Sequence, residues 1–126
     1  MIGDGVTLVL MNGASLSNVN GGSDIAITAP TSGPYKGIAI YSDPATQPAG
    51  DTVRINGGSS TSIEGLMYFP TQELEFSGNT TGSNACTVVV ASTIKLTGDS
   101  ELTTSGCENS FALETPVINE GTFLVQ

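Results

Sequence analysis

DIAITA (24–29), TVRINGG (52–58), LEFSGN (74–79) and IKLTGD (94–99) repeat one local pattern: two apolar residues flank one outward residue, and a small turn residue follows. The apolar pairs are Ile25/Ile27, Val53/Ile55, Leu74/Phe76 and Ile94/Leu96, at steps of 28, 21 and 20 residues. The first step spans PATQPAG (44–50), and setting those seven residues aside reduces it to 21. Alternation with a period of two marks strands. Recurrence every 20 to 22 residues, in a chain rich in Gly, Ser, Thr and Asn, marks a stack in which each coil lays its strand on the one below. The expected fold is all-β, a right-handed parallel β-helix (solenoid) of about five short coils with a C-terminal cap. A leucine-rich repeat has a similar length, but its asparagine-bearing leucine consensus is missing and no segment reads as a repeat helix.

A second column supports this register. Eight residues after the turn positions Ala29, Gly57 and Gly78 come Gly37, Gly65 and Cys86, each opening an apolar run: GIAIY, GLMYF and CTVVV. Each coil is therefore expected to hold at least two strands. GVTLVLMNG (5–13) reads as an earlier coil with Leu8 and Leu10 in the first column. FALETPVINEGTFLVQ (111–126) fits the period poorly, so about 108–126 is expected to cap the last apolar layer, as a solenoid end requires. The residues between the apolar pairs stack as an outer charge ladder, Arg54, Glu75 and Lys95. Alternating charge down such a column is favourable, and its ordinary role is a solvated surface ladder.

The length of 126 residues fits a single domain, 1–126. Twelve acidic against three basic residues give a net charge of −9, which repels phosphate backbones and anionic headgroups and argues against a nucleic-acid partner. No apolar run approaches the roughly 18 residues of a membrane span, so this domain is not expected to cross a membrane. The opening MIGDGVTLVL lacks a basic n-region and a cleavage site. The chain is accordingly expected to be a fragment of a longer protein or a mature domain, and if it is exported its targeting segment lies upstream of Met1.

Cys86 and Cys107 are 21 residues apart, one coil period, which places them in one column on successive coils. Neighbouring strands lie about 4.8 Å apart and a disulfide accepts Cα separations of about 4.4–6.8 Å, so a stacked disulfide fits. It would imply an oxidising compartment. Two buried free thiols are the alternative. A metal pair lacks further His or Cys ligands.

The chain has no His, which removes Ser–His and Cys–His nucleophilic pairs and the commonest general base. A carboxylate pair for glycoside chemistry would have to come from Glu64, Glu73 and Glu75, of which Glu73 and Glu75 share one strand face. No apolar pocket is evident beside them, and no enzyme activity is expected. The oxygen-rich turns NGGSD (20–24), TGDSE (97–101) and SGCEN (105–109) lack the nonapeptide repeat of calcium-binding β-rolls and read as coil corners. No cofactor or metal is expected. The loop YSDPATQPAGD (41–51) leaves the coil, with prolines that keep it from pairing as a strand, and is the candidate partner-contact loop through Tyr41, Asp43, Pro44, Gln47 and Pro48.

The runs APTSGPYKGIAIYSD (29–43), INGGSSTSIEGLMYFPTQELEFSGN (55–79), NACTVVVASTIKLTGDSEL (84–102) and SGC (105–107) resemble the C-terminal region of TadG-like proteins of tight-adherence (Flp-type) pilus assembly. The resemblance covers roughly residues 5–107 and rests on the TSGPYKGI turn, the NGGSS-to-EGLMYFP passage and the NAC…SGC cysteines. It implies an extracytoplasmic domain, at the periplasm or cell surface, of a bacterial envelope protein anchored in the inner membrane by an N-terminal segment. It also implies protein partners in the envelope or pilus machinery, and names no catalytic residue. The resulting expectation is a non-enzymatic structural or interaction module supporting pilus assembly or adhesion. The alternative is a glycan-binding or polysaccharide-cleaving β-helix.

Overall fold

The computed structural model describes residues 2–16, 25–57, 61–78 and 86–98. They form seven strands: β1 (Ile2–Asp4), β2 (Leu8–Leu10), β3 (Ile25–Thr28), β4 (Ile38–Ser42), β5 (Thr52–Gly57), β6 (Thr61–Gly78) and β7 (Thr87–Thr97). Every strand pairing is parallel, and no helix occurs among the described residues. The sheet curls because β6 is shared. Over its 18 residues it meets β3, then β4, then β5 on one side, while β7 follows it on the other.

Three strips result. The first holds β1, β3 and Thr61–Glu64, with Ile27 paired to Ile63. The middle strip holds β2, β4, residues 65–69 and residues 87–91. The last holds β5, residues 73–78 and residues 93–97, where Val53, Leu74 and Ile94 stack, as do Ile55, Phe76 and Leu96.

Alternation drives this arrangement. Along β6, Thr61, Ile63, Gly65, Met67 and Phe69 are buried and the residues between them are half-exposed; after the corner, Gln72, Leu74 and Phe76 resume the buried series. Met67, Phe69 and Leu74 are 0% exposed and join Ile27, Ile40, Val53 and Ile55 in one core, each such side chain contributing roughly 1.5–3 kcal/mol by burial. The corners have specific chemistry. Gly65 sits at φ +129°, and the hydrogen bonds Ala29 N to Glu64 O, Leu66 N to Gly37 O and Gly65 N to Cys86 O carry the ladder through the bend. At the second corner the register with β7 shifts between Phe69 and Glu73, which lets Pro70 sit without a missing ladder donor.

The middle strip opens at Gly37 and Gly65 as expected, but Gly65 pairs with Thr87, one residue past the expected Cys86. The parallel stacking and the 20- and 21-residue steps of the last strip match the sequence reading. The first column does not. Ile25 and Ile27 pair with Thr61 and Ile63 in the first strip, 36 residues on, not with Val53 and Ile55. Leu8 and Leu10 pair with Ile40 and Ser42 in the middle strip. The cause is that any strand lining the same interior shows the apolar–x–apolar pattern, so alignment by pattern merged two strips. The pass through β3, β4 and β5 also carries two long connections, residues 29–37 and 43–51, where β6 turns both corners within one strand. A full pass therefore contains three strand segments. The expected cap at 108–126 lies outside the described residues.

Candidate interaction surface

The outward faces of the three strips differ in chemistry. On the last strip Arg54 pairs with Glu75, and Glu75 with Lys95. Arg54 Nε donates to Glu75 Oε2 at 3.2 Å, with the arginine side chain 65% exposed and the glutamate 19%. An ion pair this open to solvent contributes at most about 1 kcal/mol. Glu73 lies two residues before Glu75 on the same face, between Thr52 and Thr93, and Ser77 Oγ donates to Asn56 Oδ1. Glu64 pairs with Thr28 on the first strip, away from the other two glutamates. Among the described residues no three Asp, Glu or Cys side chains converge as a metal-binding group. The turns at 20–24 and 105–109, and residues 99–101, lie outside the described residues.

The middle strip is different. Its outward row runs Val9, Tyr41, Tyr68 and Val90, with Ile38 and Leu66 beside it, and none of these is charged. The rings of Tyr41 and Tyr68 lie 5.5 Å apart and 7° from parallel, an offset stack, and Tyr35 tilts against Tyr41 at 5.8 Å and 58°. Tyr35 is 39% exposed and Val90 41%, so the row remains open to solvent. No hydrogen bond among the described residues uses the three phenol hydroxyls.

The candidate loop adjoins this row and is pinned. Asp43 N donates to Leu10 O; Asp43 Oδ1 accepts from Ala45 N at 3.1 Å and Oδ2 from Thr46 Oγ1 at 2.9 Å. Asn12 N donates to Thr46 Oγ1. Gln47 is 7% exposed and gives its side-chain amide to Ala14 O, so it braces the loop from within and is not a surface contact. Pro44 and Pro48 stand exposed and Tyr41 joins the aromatic row. Behind the loop, buried Ser42 Oγ donates to buried Gln72 Oε1 at 2.5 Å, tying β4 to the second corner of β6. Cys86 is 1% exposed at the corner that opens β7, and Cys107 lies outside the described residues.

Sequence reasoning singled out Tyr41 but passed over Tyr35 and Tyr68. Counting from Gly37 and Gly65 sets Tyr41 opposite Phe69. A bulge between Ile38 and Ile40 shifts the register by one and brings Tyr41 onto Tyr68. The extra residue is Ala39, fully buried beside Ile40. Compared with family models, curated proteins and solved structures, the chain gives no match.

Proposed function

We propose that this chain is a non-enzymatic interaction module built on a right-handed parallel β-helix, working outside the cytoplasm in a bacterial envelope and supporting tight-adherence pilus assembly or surface adhesion. The β-helix reading is supported by two stacked parallel passes, β3–β4–β5 and β6, that each hold three strand segments, and its hand by the strong preference of parallel crossovers for the right-handed sense. Location and process rest on the resemblance to TadG-like C-terminal regions. The observation that carries the interaction role is the uncharged row of Tyr35, Tyr41 and Tyr68, open to solvent on a sheet whose last strip is charged, beside the exposed Pro44 and Pro48 of a pinned loop. Aromatic residues held on a rigid frame lose little entropy on binding, which suits them to contact surfaces. A disulfide between Cys86 and Cys107 belongs to the same proposal and would fasten the coil after β7.

The deciding experiment deletes this domain alone from the chromosomal gene, verifies export of the remainder, and counts pili and attached cells. Loss of either phenotype is expected; unchanged pili and attachment would overturn the pilus and adhesion role.

A further inference from the structure

We infer that the outward face of the middle strip binds a neutral, linear glycan, with Tyr35, Tyr41 and Tyr68 as the contact residues. The inference deepens the interaction-module reading and rests on it.

Size narrows the occupant first. Four strands about 4.8 Å apart and four residues at about 3.3 Å each define a patch of roughly 250 Å². A stable protein–protein interface covers about 800 Å² per partner, so a second copy of this chain seated here would be weakly held. A narrow, extended ligand matches the patch.

Backbone chemistry narrows it further. Peptides that add to sheets bind at an edge, where free N–H and C=O groups give them main-chain hydrogen bonds. Here β4 and β6 lie inside the sheet, each paired on both sides along the strip, so their ladder groups are already used. What the face offers a ligand is side chains alone: ring carbons, aliphatic Val9, Ile38, Leu66 and Val90, and three phenol hydroxyls. A pyranose has the complementary make-up, with an apolar C–H face and a rim of hydroxyls. Tyrosine, with an apolar body and a polar tip, meets both.

Charge selects the sugar. The row carries no cation to pair with a uronate, sulfate or phosphate, and the chain bears a net charge of −9. Lys36 beside Tyr35 is the nearest basic residue in the sequence, while Asp43 and Glu64 border the row at the other ends of β4 and the first corner. Acidic polysaccharides are therefore disfavoured. The 5.5 Å step from Tyr41 to Tyr68 runs across the strands, and the two rings stack nearly parallel along that direction. A glycan laid along the row would therefore meet their edges and hydroxyls in succession, with Val9, Ile38, Leu66 and Val90 beside them as apolar surface.

The chain has three tyrosines, all in this cluster, and no tryptophan, so intrinsic tyrosine fluorescence reports the face directly. The full chain is titrated with linear hexasaccharides of glucose, N-acetylglucosamine and mannose, with hexagalacturonate as the acidic counterpart and a proline-rich decapeptide as the competing class. At least one neutral hexasaccharide is expected to bind with a Kd of about 1 mM or tighter. Tyr68→Ala should weaken it at least tenfold and Tyr35→Ala at least fivefold, with Thr52→Ala on the last strip unchanged. Tyr35 lies outside the strands, so its substitution keeps the test valid should Tyr68→Ala unfold. The inference is overturned by no neutral hexasaccharide binding up to about 10 mM, by binding indifferent to both tyrosine substitutions, by equal binding of hexagalacturonate, or by response to the decapeptide alone. If glycan binding fails while domain deletion still abolishes attachment, the glycan inference falls and the interaction module stands; if both fail, both fall.

Discussion

Replacing Gly65 by alanine probes the corner on which the curl of the sheet depends. A Cβ at this position would lie 2.6 Å from the Ala29 Cβ, 3.0 Å from the Gly37 carbonyl oxygen and 3.2 Å from the Ala39 Cβ, at φ +129°. Two costs follow. The backbone conformation is strained for any residue with a side chain, at about 1–3 kcal/mol. The contact with Ala29 is a clash between Cβ atoms, with no flexible chain end to move away, and overpacking of this kind costs about 1–3 kcal/mol. Together they remove about 2–6 kcal/mol from a domain whose net stability, at about 0.05–0.15 kcal/mol per residue, is of the order of 10 kcal/mol. In urea, with a slope near 2 kcal/mol/M, the midpoint should fall by about 1–3 M. Gly33→Ala is the control: φ is +87° but nothing lies within 4 Å, so only the backbone cost of about 1–2 kcal/mol applies. Ala29→Gly combined with Gly65→Ala should recover the clash, seen as a coupling of at least about 1 kcal/mol in a double-mutant cycle. The reasoning is refuted if Gly65→Ala unfolds within about 0.5 kcal/mol of the parent, or if the cycle shows no coupling.

Phe69 is 0% exposed at the last inward position before the Pro70 corner, and Phe69→Ala should cost about 3–5 kcal/mol by equilibrium denaturation. Ser42→Ala leaves the buried Gln72 Oε1 without its donor and should cost about 1–3 kcal/mol, with less added by Gln72→Leu in the same chain than alone. Purified from an oxidising compartment, the protein should take up no alkylating reagent before reduction and two equivalents after it by intact mass; reduction should lower stability by about 3 kcal/mol.

The sequence made the last strip legible in full, because Val53, Leu74 and Ile94 recur at steps of 21 and 20. The charge ladder followed from the same alignment, since the residue between two inward positions must point outward. What misled was uniformity of pattern. Ile25/Ile27 and Val53/Ile55 look alike because both strands face one interior, and only pairing distinguishes their strips. Setting 44–50 aside gives a period of 21 by coincidence, because the partners of Ile25 and Ile27 lie 36 residues on, beyond both long connections. The tyrosine row was hidden by a single extra residue, Ala39, whose burial beside Ile40 breaks the alternation that pattern reading relies on. Gln47 was misjudged for a different reason. A loop rich in proline suggests projection, yet the carboxylate of Asp43 folds it back and the glutamine amide reaches Ala14.

The contrast between the strips bears on function more than any single residue does. A stacked sheet that needed only solubility would carry polar or charged residues on every outward face, as the last strip does with Thr52, Arg54, Glu73, Glu75 and Lys95. The middle strip uses the same backbone geometry and is exposed to the same solvent, so architecture does not account for its Val9, Tyr41, Tyr68 and Val90. Packing does not account for them either, since Met67 and Phe69 already fill the interior behind them and Val90 and Tyr35 remain more than a third exposed. Outward apolar rows also carry a risk, because they favour unspecific association. Tyrosine limits that risk, because its hydroxyl suits contact with water while its ring supplies apolar surface. That combination suits a contact made and released at the surface, and the covered, permanent contact of a buried interface would not require it.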